Sequence, residues 1–202
     1  MDNSRLLDAA VALVKAMDKT VDDSLPGEIA EIVKFHSKGA AVAALASGWI
    51  PGVGATAAVT ISAGFVWTMY SRINGKIDLP ITENIVKSIA SGVATNLAAY
   101  AVGSVVFATA FSLFPGLGNV ASAAIIGGTC YALTLASGFV YLKILTNVFT
   151  SGKDPSAMTA ENLKKMAKTV TENEDIKAVM KEAKDAFKAA KERGEIQEEK
   201  KD

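Results

Sequence analysis

The sequence predicts an all-α protein. Two apolar helical hairpins with Pro-Gly-x-Gly apices are flanked by amphipathic terminal helices, and the hairpins are expected to embed in a membrane. Three observations carry this. Gly39–Ser71 and Ser88–Leu142 contain no Asp, Glu, Lys, Arg or His. Each run is interrupted by nearly the same turn, "WIPGVG" at Trp49–Gly54 and "LFPGLG" at Leu113–Gly118. No segment sustains the apolar/polar alternation of a half-buried strand.

The 202-residue chain is 50% hydrophobic but only 7% aromatic, and its formal net charge is zero. Charge balance gives nucleic acid no electrostatic foothold as a partner. The charges are concentrated at the ends of the chain, which sets three expected parts: N-terminal amphipathic helices over 1–38, a duplicated apolar hairpin domain over 39–147, and charged C-terminal helices with a tail over 148–202.

Residues 1–23 read as an amphipathic helix, with Leu6, Leu7, Ala10, Val11, Val14 and Met17 at three-and-four spacing. Acids and bases are threaded through this stretch, unlike a secretory signal, so a cytoplasmic start is expected. After "DDSLPGE", a second helix over 27–38 aligns Ile29, Ile32, Val33 and His36. His36 is the single histidine, with no ligand cluster arranged around it, and reads as a packing residue rather than a metal ligand. Cys130, the single cysteine, lies in "GGTCYAL" and reads as a buried, inert thiol.

Both apolar runs have the same plan: an apolar arm, a Pro-Gly turn, a second arm ending in "GFVW" or "GFVY", and a basic exit at Arg72 or Lys143. Pro51 and Pro115 end the incoming helices, and Gly52, Gly54, Gly116 and Gly118 supply the backbone freedom to reverse. Asn119 suits the N-cap of the returning helix, and Thr82 that of the helix opening at "ENIVKS". In the second run both arms reach the ~20 residues needed to span a bilayer, whereas the first run has a short leading arm. Ser88, Ser91, Gly92, Gly103, Gly127, Gly128 and Gly138 allow close helix packing, the means by which helices associate in lipid. Asn96 reads as an interhelical hydrogen-bonding group. Cations flank both runs, at Lys34 and Lys38, Arg72 and Lys76, Lys87, Lys143 and Lys153, which places termini and exits on the cytoplasmic side of the membrane. Trp67, Tyr70 and Tyr141, with Arg72 and Lys143, are expected interface anchors.

Beyond Ser151 a Thr159-x-x-Asn162 pattern marks a helix start close to a capping box. A stripe follows that includes Ile176, Val179, Met180 and Phe187. It either docks on the rest of the chain or recruits a partner.

The segment "ITENIVKSIASGVATNLAAYAVGSVVFATAFSLFPGLGNVASAAIIGGTCYALTLASGFVYL", with "AALASGWIPGVGATAAV" upstream, resembles the YcjF-like bacterial domain family, and more weakly EcsC-like proteins. The resemblance covers about Lys38–Leu145 and implies a bacterial inner-membrane setting and a small GTPase as partner. The chain itself has no G-x-x-x-x-G-K-[ST] stretch. The resemblance supplies no catalytic residues, and no catalytic constellation or cofactor site is legible in the sequence. The expected function is therefore non-enzymatic: a membrane-associated hairpin protein that forms homo-oligomers and presents cytoplasmic helices to a partner. A pore-forming or membrane-remodelling oligomer is one alternative, and a soluble helical adaptor or lipid-binding bundle another.

Overall fold

The structure, a computed structural model, describes residues 25–47, 54–79, 81–112, 118–151, 158–173 and 176–196; at 25, 47, 54–59, 98–112 and 118–123 it describes the helical backbone. The expected helix over 1–23, the charged tail, and the apex residues Pro51, Gly52, Pro115 and Gly116 lie outside these residues. Among the described residues the fold is all-helical: α1 (Leu25–Ser47), α2 (Gly54–Lys76), α3 (Glu83–Ser112), α4 (Gly118–Thr150), α5 (Ala160–Asn173) and α6 (Ile176–Glu192). Gly54 and Gly118, expected at the apices, are the first residues of α2 and α4.

Several local signals act as their chemistry dictates. The Thr159 hydroxyl accepts a hydrogen bond from the Asn162 backbone N–H at 3.2 Å, capping α5. The α3 helix starts directly after Thr82, whose carbonyl accepts from the Val86 N–H at 3.1 Å. Asn119 falls inside the first turn of α4 rather than before it, because that helix starts one residue earlier. No break separates the expected 27–38 helix from the first apolar arm: α1 runs unbroken across residue 38. Nothing around Ser37–Ala41 stops a helix, and Gly39 is held by packing. A Cβ there would stand 2.6 Å from the Phe65 ring on α2.

Helix α4 packs against all five of the other described helices. Registers follow from specific contacts. Gly138 and Gly127 on α4 meet Val33 and Leu45 on α1, so these two helices are antiparallel. Tyr70 and Asn74 on α2 meet Ser137 and Tyr141 on α4, so that pair is parallel. The C-terminal end of α1 and the N-terminal ends of α2 and α4, which the Pro-Gly connections adjoin in sequence, consequently lie at one end of the bundle, the Pro-Gly end. Helix α4 extends further toward that end: 15 residues separate Met69 from the start of α2, against 20 from its neighbour Gly138 to the start of α4. The difference amounts to ~8 Å of helix at 1.5 Å per residue.

Helix α4 is the core. Every residue from Ile126 to Gly138 is buried. Ala124–Thr150 is the one segment among the described residues long and apolar enough to cross a membrane, and 94% of its most apolar window is covered by the protein itself. A helix apolar on all faces needs a complete apolar sheath. Here α1, α2 and α3 supply part of that sheath and the charged helices α5 and α6 the rest. Helix α5 turns Leu163, Ala167 and Val170 inward, and α6 turns Ile176, Met180, Ala183, Phe187 and Ala190 inward. One core cluster runs from Ile29 to Ile196, so the three expected parts share a single interior.

Candidate functional site

Three places bring together residues with chemistry to offer. The first is a polar knot inside the bundle. The Tyr70 and Tyr141 rings stack at 3.9 Å and 10°. The Tyr70 hydroxyl donates to the Ser137 carbonyl at 2.8 Å, and the Tyr141 hydroxyl donates to Asn74 Oδ1 at 2.6 Å. Buried hydroxyls must find such partners or lose their hydration without return. Burial raises both phenols well above the usual tyrosine range. These two residues are therefore not interface anchors. Both are fully buried, because their rings fill the α2–α4 seam rather than facing outward. Tyr141→Phe is expected to cost about 1–3 kcal/mol, since it strands Asn74 Oδ1 in the core; urea denaturation of the variant measures the loss.

The other expected anchors are at the surface. Arg72 is exposed and lies over the Phe35 ring at 5.4 Å. Trp67 is half-buried with the Lys87 ammonium over its ring at 4.5 Å, and Lys143 is half-buried with its ammonium 6.0 Å from the Phe139 ring centre. His36 is buried and bonded through Nδ1 to the Ile32 carbonyl at 2.7 Å. Burial lowers its pKa, which fits a packing role. Cys130 is buried in a small cluster with Ala40, Ala44 and Ile126, and desolvation pushes its thiol up to about 11. A thiol so rarely ionised is a poor nucleophile. Among the described residues no group of three or more potential metal ligands occurs.

The small residues divide by helix. On α4, a Cβ at Gly127 would come within 2.9 Å of Leu45, at Gly128 within 3.0 Å of Phe187, and at Gly138 within 2.8 Å of Val33. All three are taken up in packing within the chain. On α3, Ser91 is exposed, Ser88 and Asn96 are half-buried, and a Cβ at Gly92 would meet nothing within 4 Å. Gly103 lies in the part of α3 described by its backbone alone.

The second place ties the turn after α6 to α1. Glu195, just past α6, pairs with Lys38, and it accepts from Arg193 Nε at 2.6 Å. The Lys38 and Arg193 hydrogen bonds hold the Glu195 carboxyl down at about 2, from an ordinary value of 4.5. A carboxylate depressed in the folded state contributes stability that is present above its unfolded pKa and is lost as pH falls through the folded one. Stability is therefore expected to fall between about pH 4.5 and pH 2, with Glu195→Gln removing part of the slope in acid titrations followed by circular dichroism.

The third place is a groove of about 590 Å³ between α4 and α6, toward the Pro-Gly end. Ile125 and Gly128 of α4 and Phe187 of α6 line its apolar interior. Lys184, Lys188, Lys191 and Glu192 contribute its charged side chains. The lysines recur at four and three residues, which places them with Phe187 on one face of α6. Lys188 has Asp185 at 3.7 Å, but both are largely exposed, so the pair is weak. Lys184 is partly desolvated, which lowers its pKa. The partner stripe expected at Ile176, Val179, Met180 and Phe187 is spent here and in the core: Ile176, Met180 and Phe187 are buried, and Val179 packs against them. Of the two readings of the stripe, this is the docked one. Sequence reasoning missed the groove. The lysine spacing was visible, but which helix lay opposite it was not.

No family model, no curated protein and no solved structure matches this chain.

Proposed function

We propose that this chain is a non-enzymatic, membrane-associated helical bundle that meets the bilayer from the cytoplasmic side with its Pro-Gly end, entering one leaflet rather than crossing. The observation that carries this is the distribution of charge along the bundle axis. Both connections at that end lie in uncharged sequence, and the first described cations beyond them on α6 are Lys184, Lys188 and Lys191, beside α4 residues 124–129. From Gly118 to that level is a helical rise of ~10–15 Å, about one leaflet of a ~30 Å hydrocarbon core. Lysines at the headgroup level would gain from anionic lipid and the positive-inside tendency.

Full crossing is disfavoured by the sheath itself. From that level onward α4 is wrapped in part by α5 and α6, whose outer faces are rich in Lys and Glu, and charged faces are costly in hydrocarbon. Those outer faces remain for a cytoplasmic partner, and a small GTPase is the one implied by the sequence resemblance. For homo-oligomerisation, Ser91 and Gly92 on α3 stand open, whereas the glycines of α4 do not.

Flotation with anionic vesicles tests the proposal. The protein is expected to float with the vesicles, and Phe114→Asp/Leu117→Asp to remain at the bottom while keeping its helical circular dichroism. Wild-type protein that stays at the bottom would overturn membrane association.

A further inference from the structure

We propose that the α4–α6 groove binds a long-chain fatty acid, its acyl chain against Ile125 and Phe187 and its carboxylate at the lysine face of α6. Shape comes first. A volume of about 590 Å³ lies within the range of about 300–1,000 Å³ typical of single small-ligand sites, suited to one acyl chain rather than the two of a phospholipid. The wall chemistry selects an apolar body. Ile125, Gly128 and Phe187 come together there, and the Thr129 hydroxyl turns its proton back to the Ile125 carbonyl at 2.8 Å. Gly128 keeps the floor low, since any Cβ would press on the Phe187 ring.

Charge complementarity selects the head. Three lysines stand against two carboxylates, Glu192 in the lining and Asp185 beside Lys188, which leaves these described residues net positive by one, so an anion is favoured over a neutral or cationic amphiphile. The groove is formed by the chain alone, so this binding needs no bilayer and stands apart from the membrane proposal.

The test uses the full chain without vesicles. A fluorescent long-chain fatty acid is titrated into the protein and displaced by palmitate or by hexadecanol, which has the same chain without the charge. Saturable one-site binding is expected, with hexadecanol about tenfold weaker, the scale of one charge-assisted hydrogen bond. The triple variant Lys184→Gln/Lys188→Gln/Lys191→Gln should erase that difference and leave hexadecanol affinity unchanged. Ala124→Trp, which fills the groove from α4, should abolish both while the melting temperature holds. Absence of saturable binding to folded wild-type protein, equal competition by palmitate and hexadecanol, or full palmitate affinity in the lysine variant would each overturn the proposal. Flotation of the same wild-type sample shows whether the membrane proposal fails with it or survives.

Discussion

Phe187→Ala is expected to destabilise the protein by about 3–5 kcal/mol, the range for removing a large aromatic side chain from a packed core. Phe187 is 6% exposed. Its ring lies on the Gly128 backbone, where no α4 side chain can follow it into the space it would leave, and 5.7 Å from the Tyr131 ring at a 54° tilt. The remaining inward residues of α6 are Ile176, Met180, Ala183 and Ala190, and the two alanines have little apolar area to offer in compensation. The loss should therefore fall first on α6. Amide hydrogen exchange is expected to accelerate across Ile176–Glu192 before the α1–α4 bundle responds, and a urea titration gives the global figure. A loss under about 1 kcal/mol, well below the range for a packed aromatic, would mean that α6 is not docked through this ring.

Gly138→Leu is the second large effect, expected to cost more than about 3 kcal/mol, beyond the usual range for overpacking. A Cβ alone at this position would stand 2.8 Å and 3.1 Å from the two Val33 methyls and 3.3 Å from Met69 Sδ. Three helices meet there, and both neighbours are buried, so neither has room to move away. Gly138→Ala alone should cost about 1–3 kcal/mol by overpacking, more than the ~1 kcal/mol that alanine gains over glycine in a helix. Gly64 is the matched control. It occupies the same place in "GFVW" that Gly138 occupies in "GFVY", yet a Cβ there meets nothing within 4 Å. Gly64→Ala is therefore expected to stabilise by up to about 1 kcal/mol. Thermal melts of the two alanine variants should move in opposite directions, by about 2–4 °C per kcal/mol for a chain of this length.

That pair of glycines also shows how far the sequence could be read. The all-helical class was legible in the two apolar runs, whose arms fall within α1 to α4. Helix type followed from spacing and punctuation, which are local, and Thr82 and Thr159 marked helix starts for the same reason. What the echo concealed was environment. Helix α2 lies at the side of the bundle and α4 at its centre, so Trp67 is half-buried where Tyr141, at the matching position, is wholly enclosed. An aromatic residue near the basic exit of an apolar helix has the same composition whether it faces lipid headgroups or fills a seam. A helix apolar on every face is likewise compatible with hydrocarbon or with a protein core. In α4 from Ile126 to Gly138 the protein core is the answer, and the amphipathic stripes of α5 and α6 are what complete it. The groove was illegible for a related reason. Its two walls are far apart in sequence, and only the docking of α6 brings them together.

Depth-resolved tryptophan quenching tests the central claim, that the Pro-Gly end enters one leaflet while the bundle stays in water. The chain has two tryptophans, Trp49 in the first connection and Trp67 far along α2. Trp67→Phe leaves Trp49 as the only reporter, and Trp49→Phe leaves Trp67. Phe114→Trp in the absence of both reports on the second connection. With anionic vesicles carrying brominated acyl chains, the reporters in both connections are expected to be quenched and Trp67 to be untouched. The Phe114→Trp reporter should be quenched more deeply than Trp49, because α4 extends further than α2. Quenching of Trp67 to the same degree would show hairpins that cross the bilayer and contradict the account. Silence from all three positions would show a bundle that does not enter lipid at all.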